Sequence, residues 1–495
     1  MNILAQALGY FYTPKAEEVL NNTEEQLVKI LKNPVTRLQL LEKRKNCIGS
    51  KCQIFYKENP VVVNQATKQY IHDEDGNQLL DCISNVQHVG HCHPKVVARI
   101  AEQMGQSNCN VRFVSSKLTE CAEAILSTLP PALDTVLFCN SGSEANDLAM
   151  RLARDFTGNE DMIVLEHAYH GHLISTMQIS PYKFDHGSSL KKPDWVHVAP
   201  TPDPYRGRDR LSDAELFDPA ARKANAERYA AAVGRLCDAE IAANGRRPAA
   251  FIAEALQSCG GQILPTPGYF RMVAEEVRSR GGVMIIDEVQ TAFGRVGERF
   301  WAHQMDDGPV GAAEVPAHAP FVPDILTIGK PIGNGFPVAA VVTRREIADR
   351  LGGAVGYFNT FGGNPVACAA ILAVLDVLRE ERLVEHAREM GRLFEVALRE
   401  LQAKHECIGD VRGVGLFWGL DLVVDRQTRE PATQLALDLC MLLRVEYGVL
   451  LNADGPYTNI LKYKPPMCFN ADDLKRSVQA IDDALCRLTA TRATA

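Results

Sequence analysis

Short apolar runs recur along the middle of the chain, and each stops at a cluster of polar residues. "TVLFCNSGSEANDLAMRLARDF", residues 135–156, passes from an apolar run through a glycine turn into a stretch with helical spacing. "DMIVLEHAYHG", "AAFIAEALQS", "GGVMIIDEVQ" and "DILTIGKPIG" repeat the run and its polar end. Runs this short, uniformly apolar and separated by helical stretches predict strands buried on both faces, with helices above and below. The fold class that follows is α/β, with a mainly parallel central sheet.

Beyond "FNTFGGNP" the pattern changes. Long helical stretches at 364–381, 383–404, 432–446 and 471–491 flank short strands in "GVGLFWGLDLV" and "NILKYKPP", which predicts a smaller α+β C-terminal domain. The domains expected are an N-terminal extension over 1–34, a segment 35–85 packing with the small domain, a large domain over 86–365 and a small domain over 366–495. Residues 201–229 are polar and turn-rich before they become helical, and read as surface. The Gly- and Pro-containing stretch at 306–320 reads as a flexible loop.

The chain has 495 residues, 46% hydrophobic and 23% charged, which is the composition of a globular protein of more than one domain. A net charge of −8 argues against nucleic acid as a partner, and no apolar run is long enough to span a membrane. Fourteen cysteines without a regular framework or a signal peptide read as reduced thiols of an intracellular protein.

In parallel sheets ligands sit at the carboxyl ends of the strands. Residues 141–143, Tyr169, Glu254, Asp287, Gln290 and Lys330 all fall there. Gly142 and Ser143 open a helix, whose free N–H groups suit a phosphate; a helix capped by Ser143 is the plainer alternative. Asp287 and Glu288 alternate along a strand, so one can face a site while the other is structural. Tyr169 offers a ring for stacking. "HVGHCHP" holds His88, His91, Cys92 and His93, but without a second cluster it is not read as a metal site. Lys330 places an amine where a strand leaves the core. Phosphate anchor, stacking ring, carboxylate and lysine together suit pyridoxal 5′-phosphate as cofactor.

"NSGSEAND", "AYHG", "IIDEVQTAFGR", "TIGKPIGNGFP" and "NTFGGNP" resemble the motifs of class III aminotransferases, pyridoxal-phosphate enzymes of fold type I, over roughly residues 50–490. The resemblance implies that Gly142 and Ser143 hold the cofactor phosphate and Tyr169 stacks on the ring. It further implies that Asp287 pairs with the pyridine nitrogen, Val289 packs on the ring and Gln290 lies near its hydroxyl. Lys330 is then the Schiff-base lysine, and Thr360 reaches the phosphate of a neighbouring subunit, so a homodimer, or a dimer of dimers, is implied.

"DCISNVQHVGHCHP", "HLISTMQISPYKF", "VHVAPTPDPYRG", "QSCGGQI" and "KYKPPMCF" are similar to the phospho-lyase subgroup, which acts on ethanolamine phosphate or 5-phosphohydroxy-L-lysine. Aminotransferases of the class carry a carboxylate-clamping arginine in a stretch like "IRFAPP"; here it reads Leu461, Lys462, Tyr463, Lys464, Pro465, Pro466. A lysine cannot form the bidentate fork. The resemblance therefore implies elimination of phosphate from a phosphorylated primary amine, ethanolamine phosphate first. The alternatives are 5-phosphohydroxy-L-lysine, or transamination of the alanine–glyoxylate type. Arg112, Lys183, Arg206 and Lys462 are the candidate cations for the substrate phosphate. The resemblance also points to the mitochondrial matrix, with the cytosol as alternative.

Overall fold

The computed structural model describes residues 36–308 and 320–493. The N-terminal extension, 1–34, and most of the 306–320 loop lie outside the described residues. The chain divides into two units, one ending at Val62 and one beginning at Val63. In the first, Arg37–Cys47 is a helix started by a capping box. Thr36 Oγ1 accepts from the Gln39 N–H at 3.3 Å, and Gln39 Oε1 accepts from the Thr36 N–H at 2.9 Å.

The second unit is built on a seven-stranded sheet. In chain order its strands are β1 Thr135–Cys139, β2 Asp161–Leu165, β3 Val196–Ala199, β4 Pro248–Glu254, β5 Val283–Asp287, β6 Ile325–Ile328 and β7 Ala339–Thr343. Across the sheet they lie in the order β1-β7-β6-β5-β4-β2-β3. The strands β6, β5, β4, β2 and β3 pair in parallel, and β7 is antiparallel to both β1 and β6. Every residue of β2, β4, β5, β6 and β7 is buried, which is why these segments read as unbroken apolar runs.

Side chains alternate between two cores. Ile252, Ile285 and Val341 pack with Leu148, Ala149 and Leu152 of the Gly142–Thr157 helix, named α1. Phe251, Met284, Ile286 and Val342 face the other core, with Tyr229 and Val233 of one helix and Phe270 and Val273 of the next. Helices on both faces leave one place for a ligand, the strand ends.

The smaller sheet carries Ile408–Val414, Phe417–Asp425, Ile460–Tyr463 and Asn452–Asp454, all antiparallel. The strand Gln78–Asp81 pairs in parallel with Val449–Leu450, so the start of this unit is tied to its C-terminal part. Helices Pro365–Glu380, Leu383–Lys404 and Ala471–Ala493 fall where the periodicity predicts. The stretch 432–446 differs. Its α-helix, Thr433–Leu442, widens into a π turn that closes at Gly448 with φ +61°.

Residues 201–229 are not simply surface. Asp203, Tyr205, Leu211 and Tyr229 are buried. Arg206 reaches across to Asp421 of the small sheet with a two-pronged pair at 2.8 and 2.6 Å. The rest of the stretch is mostly exposed, as its polarity predicts: residues 208–210, 212–215 and 217–220 all face solvent.

Candidate active site

A cavity of about 300 Å³ opens at the carboxyl ends of the central strands. Gly142, Ser143, Tyr169, Asp287, Val289, Gln290 and Lys330 all line it. They come from four separate strand ends, so the sheet assembles the cavity.

Lys330 follows β6 after Gly329. Its φ is +29°, a left-handed value rare for a residue with a side chain, and it opens the short turn Lys330–Gly333. Among the described residues its amine has no hydrogen-bond or ion-pair partner, so it meets the cavity uncommitted.

Asp287, the last residue of β5, is held from three sides. Its Oδ2 accepts from Asn146 Nδ2 at 2.7 Å and lies 2.9 Å from His170 Nδ1, while Oδ1 accepts from the Val289 N–H at 2.9 Å. Such a net compensates the burial of a carboxylate and fixes its direction. Glu288 turns the other way, to Thr291 Oγ1 at 2.7 Å and to the backbone and ring of His303 at 2.7 and 2.9 Å. Strand alternation thus separates the two acids as predicted.

The N-cap of α1 is Ser141, whose hydroxyl accepts from the Glu144 N–H at 3.2 Å. Ser143 is not the cap; its Oγ accepts instead from the His172 N–H at 3.0 Å. Backbone approaches closely here. A Cβ on Gly142 would lie 2.5 Å from Val289 Cγ1, and one on Gly171, φ +140°, would lie 2.7 Å from Ser143 Oγ.

The Tyr169 N–H donates to Glu254 Oε1 at 3.2 Å, and Glu254 Oε2 accepts from the Ser258 N–H at 3.0 Å. Burial, chiefly, pushes the Glu254 carboxyl up to about 7. Burial likewise raises the Tyr169 phenol.

The four candidate substrate cations have different partners, though Tyr182 links two of them, lying under Lys183 and donating to the Asp454 that pairs with Lys462. Arg206 is spent on Asp421. Arg112 is exposed and stacks over Phe358 at 3.9 Å. Lys183 lies 5.3 Å from the ring centroids of both Tyr169 and Tyr182. Lys462 is buried against Asp454, and although burial works against its charge, that carboxylate holds its pKa above the ordinary value. Thr360 is exposed and is not among the residues lining this cavity.

The histidine cluster is divided among separate partners. His88 Nε2 lies 2.7 Å from the Phe293 carbonyl, His91 pairs with Asp81 at 2.7 Å and His93 with Glu381 at 2.9 Å.

Reasoning from sequence leaves out Asn146 and His170, which hold Asp287, and Lys464. The Lys464 amine donates to Ser258 Oγ at 3.0 Å and to Gln290 Oε1 at 2.7 Å. His170 is the neighbour of Tyr169 in "AYHG", and Asn146 completes "NSGSEAN", so the motif lengths were the available signal.

Pyridoxal 5′-phosphate fits this donor set. The uncommitted Lys330 amine suits its aldehyde, and the fixed Asp287 carboxylate suits a protonated pyridine nitrogen. The glycine-bared start of α1 suits its phosphate, and Tyr169 and Val289 suit the two faces of a ring. Sheet order and site together define a pyridoxal-phosphate enzyme of fold type I. The aminotransferase class-III family matches residues 55–485, and the chain belongs to that family.

Its relatives divide by activity. The chain is 57% identical to ethanolamine-phosphate phospho-lyase homolog 1 of Caenorhabditis elegans, over 98% of this chain and 99% of that one. It is 37% identical to alanine–glyoxylate aminotransferase 2 homolog 2, mitochondrial, of Arabidopsis thaliana, over 91% of this chain and 87% of the relative. Among solved structures, a phospholyase from Arthrobacter in complex with phosphoethanolamine superposes with a TM-score of 0.81 at 34% identity, covering 90% of this chain and 99% of that one.

Proposed function

We propose that this protein is a pyridoxal-phosphate-dependent phospho-lyase that converts ethanolamine phosphate and water to acetaldehyde, ammonia and inorganic phosphate. The observation that carries the reading is Lys462. Where the aminotransferase pattern has a carboxylate clamp, this chain has a buried lysine whose charge is taken by Asp454. A substrate with no carboxylate beside its amine needs no clamp there. The likeness to the nematode and Arthrobacter proteins supports the same substrate class.

The bound cofactor supplies an aldehyde that captures the amine and a ring that draws an electron pair from it. The rest falls to the chain. Gly142, Ser143 and the start of α1 hold the cofactor phosphate. Tyr169 and Val289 would confine the ring, and Gln290 would offer its hydroxyl a hydrogen bond. Asn146, His170 and the Val289 N–H fix Asp287, which keeps a proton on the ring nitrogen. Lys330 Nζ takes the proton from the carbon that bears the amine. Phosphate then leaves the adjacent carbon with the electron pair, and the remaining enamine hydrolyses.

The functional unit in this reading is a homodimer. Val111, Phe113, Val114, Val355, Phe358 and Phe361 are exposed apolar side chains near Thr360 in the chain or packed about the same loop, as Arg112 over Phe358 indicates. Association would cover them and carry Thr360 to a partner's cofactor phosphate. The mitochondrial name of the Arabidopsis relative supports the matrix as compartment. The activity is tested by incubating the holoenzyme with ethanolamine phosphate alone and assaying phosphate, ammonia and acetaldehyde, which should appear in equal amounts.

A further inference from the structure

Three cations packed around the small sheet are matched by carboxylates. Lys462 has Asp454, Arg206 has Asp421, and Arg412 has Asp410 and Asp421. Like the buried Arg295, which donates to the Leu416 and Pro465 carbonyls, Lys464 has no carboxylate partner among the described residues. It is 7% exposed, and its amine meets only neutral acceptors, Ser258 Oγ and Gln290 Oε1. Gln290 lines the active-site cavity.

A buried ammonium with no counter-charge is costly. Burial first, and then the positive charge of Lys462 and Lys330, hold the Lys464 amine well below the ordinary lysine range. The other titratable groups around this cluster are Cys259, Glu254 and Asp454. Burial pushes the thiol up to about 12 and Glu254 up to about 7, and Asp454 is engaged by Lys462. None of them neutralises Lys464 by direct contact. The missing counter-charge is a property an anionic substrate can fill, in a chain whose net charge of −8 otherwise repels anions.

We infer that Lys464 is the cation that recognises the phosphate group of the substrate, taking a proton from solvent as the phosphate enters beside Gln290. The inference rests on the phospho-lyase reading for its substrate, though not for its binding test. In the empty site Lys464 holds Gln290 in place; in the loaded site the charged amine and the phosphate compensate one another. The aminotransferase-like stretch puts a lysine on alternate residues, 462 and 464, so one is neutralised by Asp454 and the other is left for the ligand.

Inorganic phosphate is the probe, added to holoenzyme at pH 8.5, where it is already a dianion. Wild type should bind it with net proton uptake in weakly buffered solution, and phosphate should inhibit turnover competitively. Lys464→Met should raise the phosphate inhibition constant and the KM for ethanolamine phosphate at least tenfold and abolish the uptake, with the cofactor absorbance unchanged. Lys464→Arg, charged throughout, should keep phosphate binding within about threefold but take up no proton, which separates recognition from a packing role and serves if the Met variant does not fold. Phosphate binding by wild type without proton uptake, or uptake retained in the Arg variant, overturns the inference. Proton-coupled phosphate binding in an enzyme that releases no phosphate from ethanolamine phosphate would instead overturn the substrate reading and leave Lys464 as an anion site.

Discussion

In the proposed mechanism Lys330 concentrates the chemistry in one side chain, as both the attachment point for the cofactor and the base at the reacting carbon. Lys330→Ala should abolish turnover while leaving the fold intact by circular dichroism. Retention of even a tenth of wild-type kcat, about 1.4 kcal/mol of barrier, contradicts that double role. In the same mechanism Asp287 acts through its charge. Asp287→Asn keeps its size and loses the ability to hold a proton on a ring nitrogen, so kcat should fall on the order of 100-fold, about 2.7 kcal/mol. Near-wild-type activity in the steady state would make Asp287 a structural anchor for Asn146 and His170.

Glu254 makes a pH-dependent contribution of definite sign. Its carboxyl rises from 4.5 to about 7 because burial disfavours the charged form. A raised pKa stabilises the fold fully below 4.5, and that stabilisation is lost as pH climbs through 7. The loss amounts to roughly 3 kcal/mol at most. In cofactor-stripped protein, thermal unfolding of wild type should fall relative to Glu254→Gln between pH 4.5 and 7 and run parallel above that. A constant offset across the range would contradict the shift.

The meeting of α1 with the turn after β5 is set by a missing side chain. Gly142→Ala forces Val289 to move, since the new Cβ would lie 2.5 Å from Val289 Cγ1. Overpacking of this kind costs about 1–3 kcal/mol. Cofactor affinity, read by titrating the apoprotein, should weaken and recover in part when Val289→Ala is added. No change in affinity would show that the helix start is not held this tightly.

The same region explains what the sequence discloses and what it conceals. Strand ends are legible because β4 and β5 are apolar until their last residues, Glu254 and Asp287, and Lys330 stands two positions beyond the end of β6. Hydrogen-bond partners are not legible. His170 and Asn146 lie 117 and 141 positions from Asp287, and only the folded sheet joins them. The choice between Ser141 and Ser143 as cap depends on where the backbone enters the helix, which side-chain type does not reveal. The polar stretch 201–229 misleads mainly at its start, because Arg206 finds Asp421 only after the small sheet has formed.

The molecule as a whole is larger than one chain in this reading. Thr360 does not line its own cavity, and exposed apolar side chains lie on both sides of it in the chain at Val355, Phe358 and Phe361. Sedimentation should give a dimer, and Thr360→Ala should weaken cofactor binding without dissociating it. A fully active, cofactor-loaded monomer would contradict both statements.

Fold and cofactor are common to lyases and transaminases, so neither decides between the two activities. The decision lies in whether the carbon next to the amine loses phosphate or the amino group passes to an oxo acid. Purified holoenzyme is given ethanolamine phosphate with and without glyoxylate, and alanine with glyoxylate in a parallel vessel, while released phosphate and consumed oxo acid are followed together. The site described here predicts phosphate, ammonia and acetaldehyde in equal yield, independent of glyoxylate and with no glyoxylate consumed. Undetectable phosphate release, with brisk turnover of alanine and glyoxylate, would contradict it.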